Sequence, residues 1–262
     1  MKLFFSEYQP DYEQYLFPYQ VWLLKQEGDE LAKIYQAGFL PFRSKKNVFY
    51  LARSVRVNLD SFESSSENRR ILRKAEDFEY QLLPISRFDY TPKVQKLCKD
   101  FAEQRFGRGK MTTAGIKSIF KSGIFTDIFA WRDKKENKEI GYALCLIDKE
   151  ILHYAHVFYN PDYFKTSLGA RMMLESVLWA KEKSRQFAYL GTCYDKRALY
   201  KSEFSGVEFF NGFLWSDNLE ELKYLVNRQE EDYLLRDKEY LERFHQSDIK
   251  TILDKYGVRV IF

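Results

Sequence analysis

Ser167-Leu168-Gly169 opens a run in which Met172, Met173, Val177 and Leu178 recur at helical spacing. A turn at the start of a helix leaves backbone N–H groups without intrahelical partners, a seat for a phosphate or for the oxyanion that develops in acyl transfer. Glycine at a loop–helix junction also serves as an ordinary turn, and on these residues alone both readings stand. His153 and His156 lie three apart in an aromatic, β-branched run. Strict alternation along a strand places them on opposite faces, unable to share a metal. His156 is then either a base beside a cleft or a hydrogen-bonded core residue. Asp162, after Asn160-Pro161, fixes a substrate loop or simply caps it. Cys193 follows a strand end but has no sequence-local base to activate it as a nucleophile.

The positive charge concentrates between Arg43 and Lys74, where the only acidic residues are Asp60, Glu63 and Glu67. On one helix, Arg69 and Arg73 share a face at i, i+4 spacing with Arg70 beside them. Such a face holds a phosphate backbone or an acidic protein terminus, or is a solvated helix surface.

The elements that must position these residues can be read from periodicity and punctuation. Residues 1–18 are aromatic and polar without period, an extended arm laid on the body. Tyr19 to Leu24 reads as a strand, Asp29 as the cap of a helix stopped by Gly38, and Val48–Leu51 and Val55–Leu59 as strands. Ser64-Ser65-Ser66 with Glu67 starts a helix through about Ala75, and Tyr80–Leu83 is a strand. Pro92 is placed as the first residue of a helix to about Phe106, and Thr112 or Thr113 caps another through Phe120. Phe125–Trp131, Ile140–Ile147 and Ile151–Phe158 form an antiparallel meander, followed by the Gly169 helix and a strand ending at Gly191. Phe209–Trp215 completes the sheet, and Leu219–Tyr256 reads as one or two charged surface helices. The division expected is a basic N-terminal domain (1–85), a transferase domain (86–217) and a helical C-terminal extension (218–262).

The chain of 262 residues is 45% hydrophobic and 18% aromatic, which places it among core-forming rather than disordered sequences. Its three cysteines are odd in number and far apart, fitting no disulfide framework. No stretch approaches about 18 uninterrupted apolar residues, and the N-terminus lacks the apolar run of a signal peptide, so a cytoplasmic protein without a membrane partner is expected. A net charge of +4 is too small to imply a nucleic-acid partner by itself.

FYNPDYFKTSLGA, then YLG, then YKSEF, in that order, resembles the C-terminal half of the arginyl-tRNA-protein transferase family, including its bacterial leucyl-transferring branch. Gly38-Phe39, Val55-Arg56-Val57, and Phe62, Ser65, Asn68-Arg69-Arg70 and Arg73 resemble the family's N-terminal segments. The resemblance covers most of residues 15 to 215. It implies an α+β fold of the GNAT acyltransferase type, a mostly antiparallel sheet flanked by helices, behind a smaller basic N-terminal half. It also implies transfer of arginine or leucine from aminoacyl-tRNA to the N-terminal α-amine of an acceptor protein; no cofactor is expected for this chain. Carried onto this chain, Tyr200 and Lys201 hold the terminal nucleotide. Arg56, Arg69, Arg70 and Arg73, Asp162, Ser167-Leu168-Gly169, and Tyr189 with Gly191 bind the substrates. The family's Cys pair after the GF segment is missing, since KKNVFYLARS stands there. An acyl-CoA-dependent GNAT enzyme and a non-catalytic tRNA- or protein-binding relative are the alternatives.

Overall fold

The computed structural model describes residues 1–13, 18–43, 45–228 and 233–246. Its aromatic N-terminal segments form a four-stranded antiparallel sheet of order β1-β2-β4-β3, from β1 (Lys2–Glu7), β2 (Tyr19–Leu24), β3 (Phe39–Pro41) and β4 (Val48–Leu51). The expected N-terminal arm is thus partly an edge strand, registered on β2 from Lys2 opposite Leu24 to Glu7 opposite Tyr19; residues 14–17 of that arm lie outside the described residues.

The second sheet has eight strands in the order β12-β11-β5-β10-β9-β8-β7-β6. They are β5 (Ser54–Asn58), β6 (Phe78–Pro84), β7 (Asp127–Asp133), β8 (Lys138–Ile147), β9 (Ile151–Tyr159), β10 (Phe187–Thr192), β11 (Val207–Phe210) and β12 (Trp215–Ser216). The meander β7-β8-β9 is antiparallel, and β9–β10 is the parallel pair, because a 15-residue helix crosses between those two strands. β5 lies between β10 and β11, and β6 forms the far edge, so a division at residue 85 runs through one continuous sheet. The expected strand Phe209–Trp215 is instead a hairpin: Gly212 has φ +114°, and β11 turns back to pair Phe210 with Trp215.

The helices are α1 (Leu31–Gln36), α2 (Ser66–Lys74), α3 (Pro92–Phe106), α4 (Thr113–Lys121), α5 (Leu168–Glu182), α6 (Leu219–Asn227) and α7 (Lys238–His245). Glu30, not Asp29, precedes α1; Asp29 instead accepts from the backbone N–H of Gln26 and pairs with the N-terminal amine. α2 begins with a reciprocal capping box between Ser65 and Asn68, and α3 has Thr91 as cap with Pro92 at its first position.

One face of the large sheet, with Val57, Ala143, Leu152 and Tyr154, is covered by Met172, Leu174, Val177 and Ala180 of α5 and by α2. On the other face, Ile128, Tyr142 and Leu144 pack against α3 and α4 through Val94, Phe101, Ile116 and Phe120. Farther along that same face Ile151 and Tyr189 meet α1 and the four-stranded sheet. Leu222 and Leu225 of α6 and Tyr240 of α7 pack on Val55 and Phe209. The tail therefore covers the sheet end as far as Gln246, and the expected helix beyond it lies outside the described residues.

Two glycines control how the layers meet. Gly38 ends α1 with φ +86°, and a Cβ there would lie 2.3 Å from a ring carbon of Phe210. Gly141 on β8 lies so close to Tyr159 that a Cβ would approach its Cβ to 2.7 Å.

Candidate active site

β9 and β10 stay paired only from Ile151 opposite Phe187 to His153 opposite Tyr189. Beyond that point β9 follows β8 to Tyr159, while β10 follows β5 to Thr192. The two strands diverge, and their inner edges no longer satisfy each other. Both carry an irregularity at the divergence. On β10 the register against β5 shifts between Tyr189 and Gly191, and Gly191 has φ +83°. On β9 the register against β8 shifts so that Leu144 opposes His156 and Cys145 opposes Tyr154, leaving Ala155 as the extra residue.

That bulge overturns the alternation expected for the histidines. With one residue inserted, His153 and His156 face the same side, and both line one cavity of about 440 Å³. Leu190, Gly191 and Thr192 form its β10 wall, and Lys201 reaches it from the 3-10 turn Lys196–Ser202. The four-stranded sheet supplies its roof through Gln20, Trp22 and Tyr50, with Phe42 and Arg43 from the segment just after β3.

The electrostatics of the cavity follow from burial. His153 is buried, and its Nδ1 lies 2.9 Å from the Tyr35 hydroxyl. Burial, then the nearby His156 and Lys201, push its pKa down to about 3. His156 keeps partial solvent exposure at the cavity wall, yet the protein around it and then the Arg43 charge push it down to about 4. Both imidazoles are neutral at pH 7. Burial also lowers the Lys201 pKa, and its ammonium donates to the Thr192 carbonyl at 2.8 Å. Burial raises the Cys193 thiol, which leaves it protonated and a poor nucleophile.

A pH dependence of stability follows. In the unfolded chain both imidazoles titrate near 6.5. Between that value and the depressed folded values the unfolded state binds more protons, so stability falls as the pH drops below about 6.5. Each histidine contributes a slope of up to about 1.4 kcal/mol per pH unit. Urea midpoints measured from pH 7 to pH 5 are expected to fall, and His156→Gln is expected to remove about half of this histidine contribution.

The residues expected at the site do not all come together. Lys201, His156 and Gly191 come together at the cavity. Tyr200, next to Lys201, is 45% exposed and does not line the cavity; it lies within electrostatic reach of Tyr159 and Arg105. Ser167 and Gly169 begin α5 beside Tyr159, whose hydroxyl would lie 2.8 Å from a Cβ at Gly169; Leu168 is fully buried in the core.

The remaining expected residues do not line the cavity. Arg56 is 6% exposed: it pairs with Glu208 at 2.6 Å, donates to the Tyr189 hydroxyl at 3.2 Å, and lies 3.8 Å and 3.9 Å from the ring centres of Phe187 and Trp215. Arg56 and Tyr189 are thus core residues on the roof side, closed to a phosphate. Asp162 is held in the turn by Asn160, whose side-chain amide donates to it at 3.2 Å. Arg69, Arg70 and Arg73 are exposed on α2, which packs on α5 across the sheet from the roof, and none lines the cavity. Arg70 pairs with Glu67, and Arg69 donates to the Ser64 carbonyl. The cationic helix and the cavity therefore do not share a groove. Sequence reading also passed over His153, Tyr35 and Arg43 as site residues. A β-bulge leaves no signature in residue type, and Arg43 looked like one charge among many.

The Cys pair that the family resemblance implies has no counterpart at the roof. Cys98, Cys145 and Cys193 are buried in separate parts of the core. Among the described residues no three His, Cys, Asp or Glu side chains converge, so the side chains present do not fit a metal or cluster there.

Comparison with known proteins bears on the same region. Residues 92–211 match the model described as arginine-tRNA-protein transferase, C terminus. The aspartate/glutamate leucyltransferase of Xanthomonas campestris pv. campestris (strain B100) is 26% identical over 171 residues, covering 62% of this chain and 67% of that protein. That of Ruegeria pomeroyi is 24% identical over 189 residues, covering 66% and 68%. Among solved structures, the C-terminal domain of a lysylphosphatidylglycerol synthetase from Agrobacterium fabrum aligns at a TM-score of 0.44 and 16% identity, over 62% of this chain and 51% of that one. A tandem GNAT protein from the clavulanic acid pathway aligns at 0.39 and 8%, over 71% and 59%. The fold class rests on the sheet itself, a mixed and mostly antiparallel α+β sheet with helices on both faces. By its sequence the chain is similar, over residues 92–211, to the C-terminal region of the arginine-tRNA-protein transferases, and over about two thirds of its length to bacterial aspartate/glutamate leucyltransferases.

Proposed function

We propose that this protein is an aminoacyl-tRNA-protein transferase that moves leucine from its tRNA to the N-terminal α-amine of an acceptor protein, in the cytoplasm, where charged tRNA is made. The observation that carries this reading is the divergence of β9 and β10 under a roof, within the region that matches the transferase family. The reading requires two entrances, which we assign to the side of Tyr200 and Arg105 and to the space beneath the four-stranded sheet. Two substrates that must meet head-on need such an arrangement.

The chemistry asks little of the protein beyond alignment. The ester of an aminoacyl-tRNA is already activated, and an α-amine has a reference pKa of roughly 7.7–8.0, so a fair fraction is neutral near pH 7.5. The amine nitrogen attacks the ester carbonyl, the N–C bond forms, the C–O bond to the ribose breaks, and the proton lost by nitrogen ends on the departing ribose oxygen. The reading asks for no protein base, and an imidazole pushed down to about 4 binds a proton far less well than such an amine. Positioning of the two reactants supplies up to about 7–11 kcal/mol of the barrier reduction. Lys201, tied to the end of β10 through Thr192, is suited to orient the ester end.

The test is a donor screen. Purified protein, each labelled aminoacyl-tRNA in turn and a peptide with an N-terminal Asp or Glu are mixed, and the peptide mass is read. A gain of one leucine is expected. Transfer of arginine alone would reassign the donor, and acetyl transfer from acetyl-CoA with none from any tRNA would refute the reading.

A further inference from the structure

Among the described residues five tyrosines are buried in the core, and the fold gives four of their hydroxyls a partner. Tyr35 pairs with His153, Tyr142 donates to Glu139 at 2.8 Å, Tyr189 accepts from Arg56, and Tyr240 donates to Glu221 at 2.6 Å. Tyr154 differs. It is 4% exposed, and its hydroxyl has no hydrogen-bond partner among the described residues. An unmade hydrogen bond on a buried hydroxyl is costly, so the one phenol left open in a chain that satisfies the others calls for a use.

The place of this hydroxyl supplies one. Tyr154 is the first residue of β9 beyond the last pair with β10, His153 opposite Tyr189. It faces away from His153, toward Leu168 and Met172 of α5, so the two neighbours flank the opening between the strands from opposite sides of the sheet. Tyr200 and Tyr159 lie within electrostatic reach of Tyr154, on the side assigned to the donor end. The start of α5 is less free for the same duty: the Leu168 N–H is spent on the Thr166 hydroxyl at 3.1 Å, and the Tyr159 ring crowds Gly169. Burial also holds the Tyr154 phenol well above its usual pKa, which keeps it a hydrogen-bond donor at neutral pH.

We infer that the Tyr154 hydroxyl is a catalytic residue's donor group, bonding to the ester carbonyl oxygen as that oxygen takes negative charge under attack by the acceptor amine. This rests on the transferase reading and names the group that meets the developing charge. As the N–C bond forms, the carbonyl π pair moves onto oxygen and strengthens its hydrogen bond from the phenol. When the carbonyl re-forms, the pair of the C–O bond leaves with the ribose oxygen, which takes the proton lost by nitrogen. Tyr154 keeps its own proton at every step. Closed to solvent before the ester arrives, the phenol has no water to lose, and a fixed donor in such a place is worth more to the transition state than one in water.

The experiment measures leucine transfer from leucyl-tRNA to an Asp-initiated peptide by the full chain carrying Tyr154→Phe. Tyr142→Phe is the comparison, because its phenol packs on the opposite face of the sheet and has a partner. In Tyr154→Phe, kcat is expected to fall about 10²-fold, with both KM values within about twofold of those of the unaltered chain. Its urea midpoint is expected to stay or rise, since no hydrogen bond within the protein is lost. Tyr142→Phe is expected to lower the midpoint and leave kcat within about twofold. An unchanged kcat in Tyr154→Phe would overturn the assignment. So would a raised KM for leucyl-tRNA with kcat intact, which would make the phenol a ground-state contact, or a fall in kcat with a lowered midpoint, which would make it a structural one. These results leave leucine transfer by the unaltered chain in place, whereas no transfer from any tRNA by the unaltered chain would remove the transferase reading and this assignment together.

Discussion

Arg56→Ala is expected to destabilise the protein by about 3–5 kcal/mol and to leave tRNA affinity of the remaining folded molecules unchanged. The guanidinium sits between the rings of Phe187 and Trp215, with the Glu208 carboxylate 2.6 Å away and the Tyr189 hydroxyl accepting from it. Truncation removes the countercharge of a half-enclosed Glu208, leaves the Tyr189 hydroxyl without this donor, and opens a gap between two aromatic planes. Arg56→Lys is expected to recover only part of the loss, because an ammonium cannot stack between the rings and bridge two acceptors at once. Urea denaturation followed by Trp fluorescence reads the change. A variant of wild-type stability with weakened tRNA binding would return Arg56 to the substrate surface.

The second large effect is expected at Gly38, the joint between the roof and the large sheet. Its φ of +86° costs about 1–2 kcal/mol for a residue with a Cβ. The added methyl would also meet the Phe210 ring at 2.3–2.6 Å, and relieving such crowding costs about 1–3 kcal/mol more. Gly38→Ala is therefore expected to lower the urea midpoint markedly. Because only the second contribution depends on the ring, Gly38→Ala with Phe210→Leu is expected to lose less than the sum of the two single changes. Simple additivity would mean that the ring does not oppose the methyl.

How much of this could be read beforehand depended on whether a feature is local. The helix start within Ser64–Ser66, Pro92 at the start of α3 and the three-strand meander are written in residue type and period, and they lie within about two residues of where the sequence places them. The order of meander, helix and following strand, together with the FYNPD, SLG, YLG and YK segments, was enough to indicate the family. Long-range pairings were not legible. Nothing local to Ser54–Asn58 says that this segment sits between β10 and β11, which turns Arg56 from a surface cation into a core residue. Nothing local to Ala155 says that it is inserted, and that single residue brings His153 and His156 to one side. The helix that carries Arg69, Arg70 and Arg73 is where the sequence places it, but the position of those arginines relative to the cavity depended on which side of the sheet α2 covers.

The two-entrance cleft is tested most directly by a crystal structure of the protein with a stable amide-linked leucyl-adenosine and an Asp-initiated peptide. The account predicts the adenosine beside Tyr200 and Arg105, the leucyl carbonyl at the opening between β9 and β10, and the peptide amine facing it from beneath the roof. Adenosine bound instead against Arg69 and Arg73 on α2, with the opening empty, would contradict it.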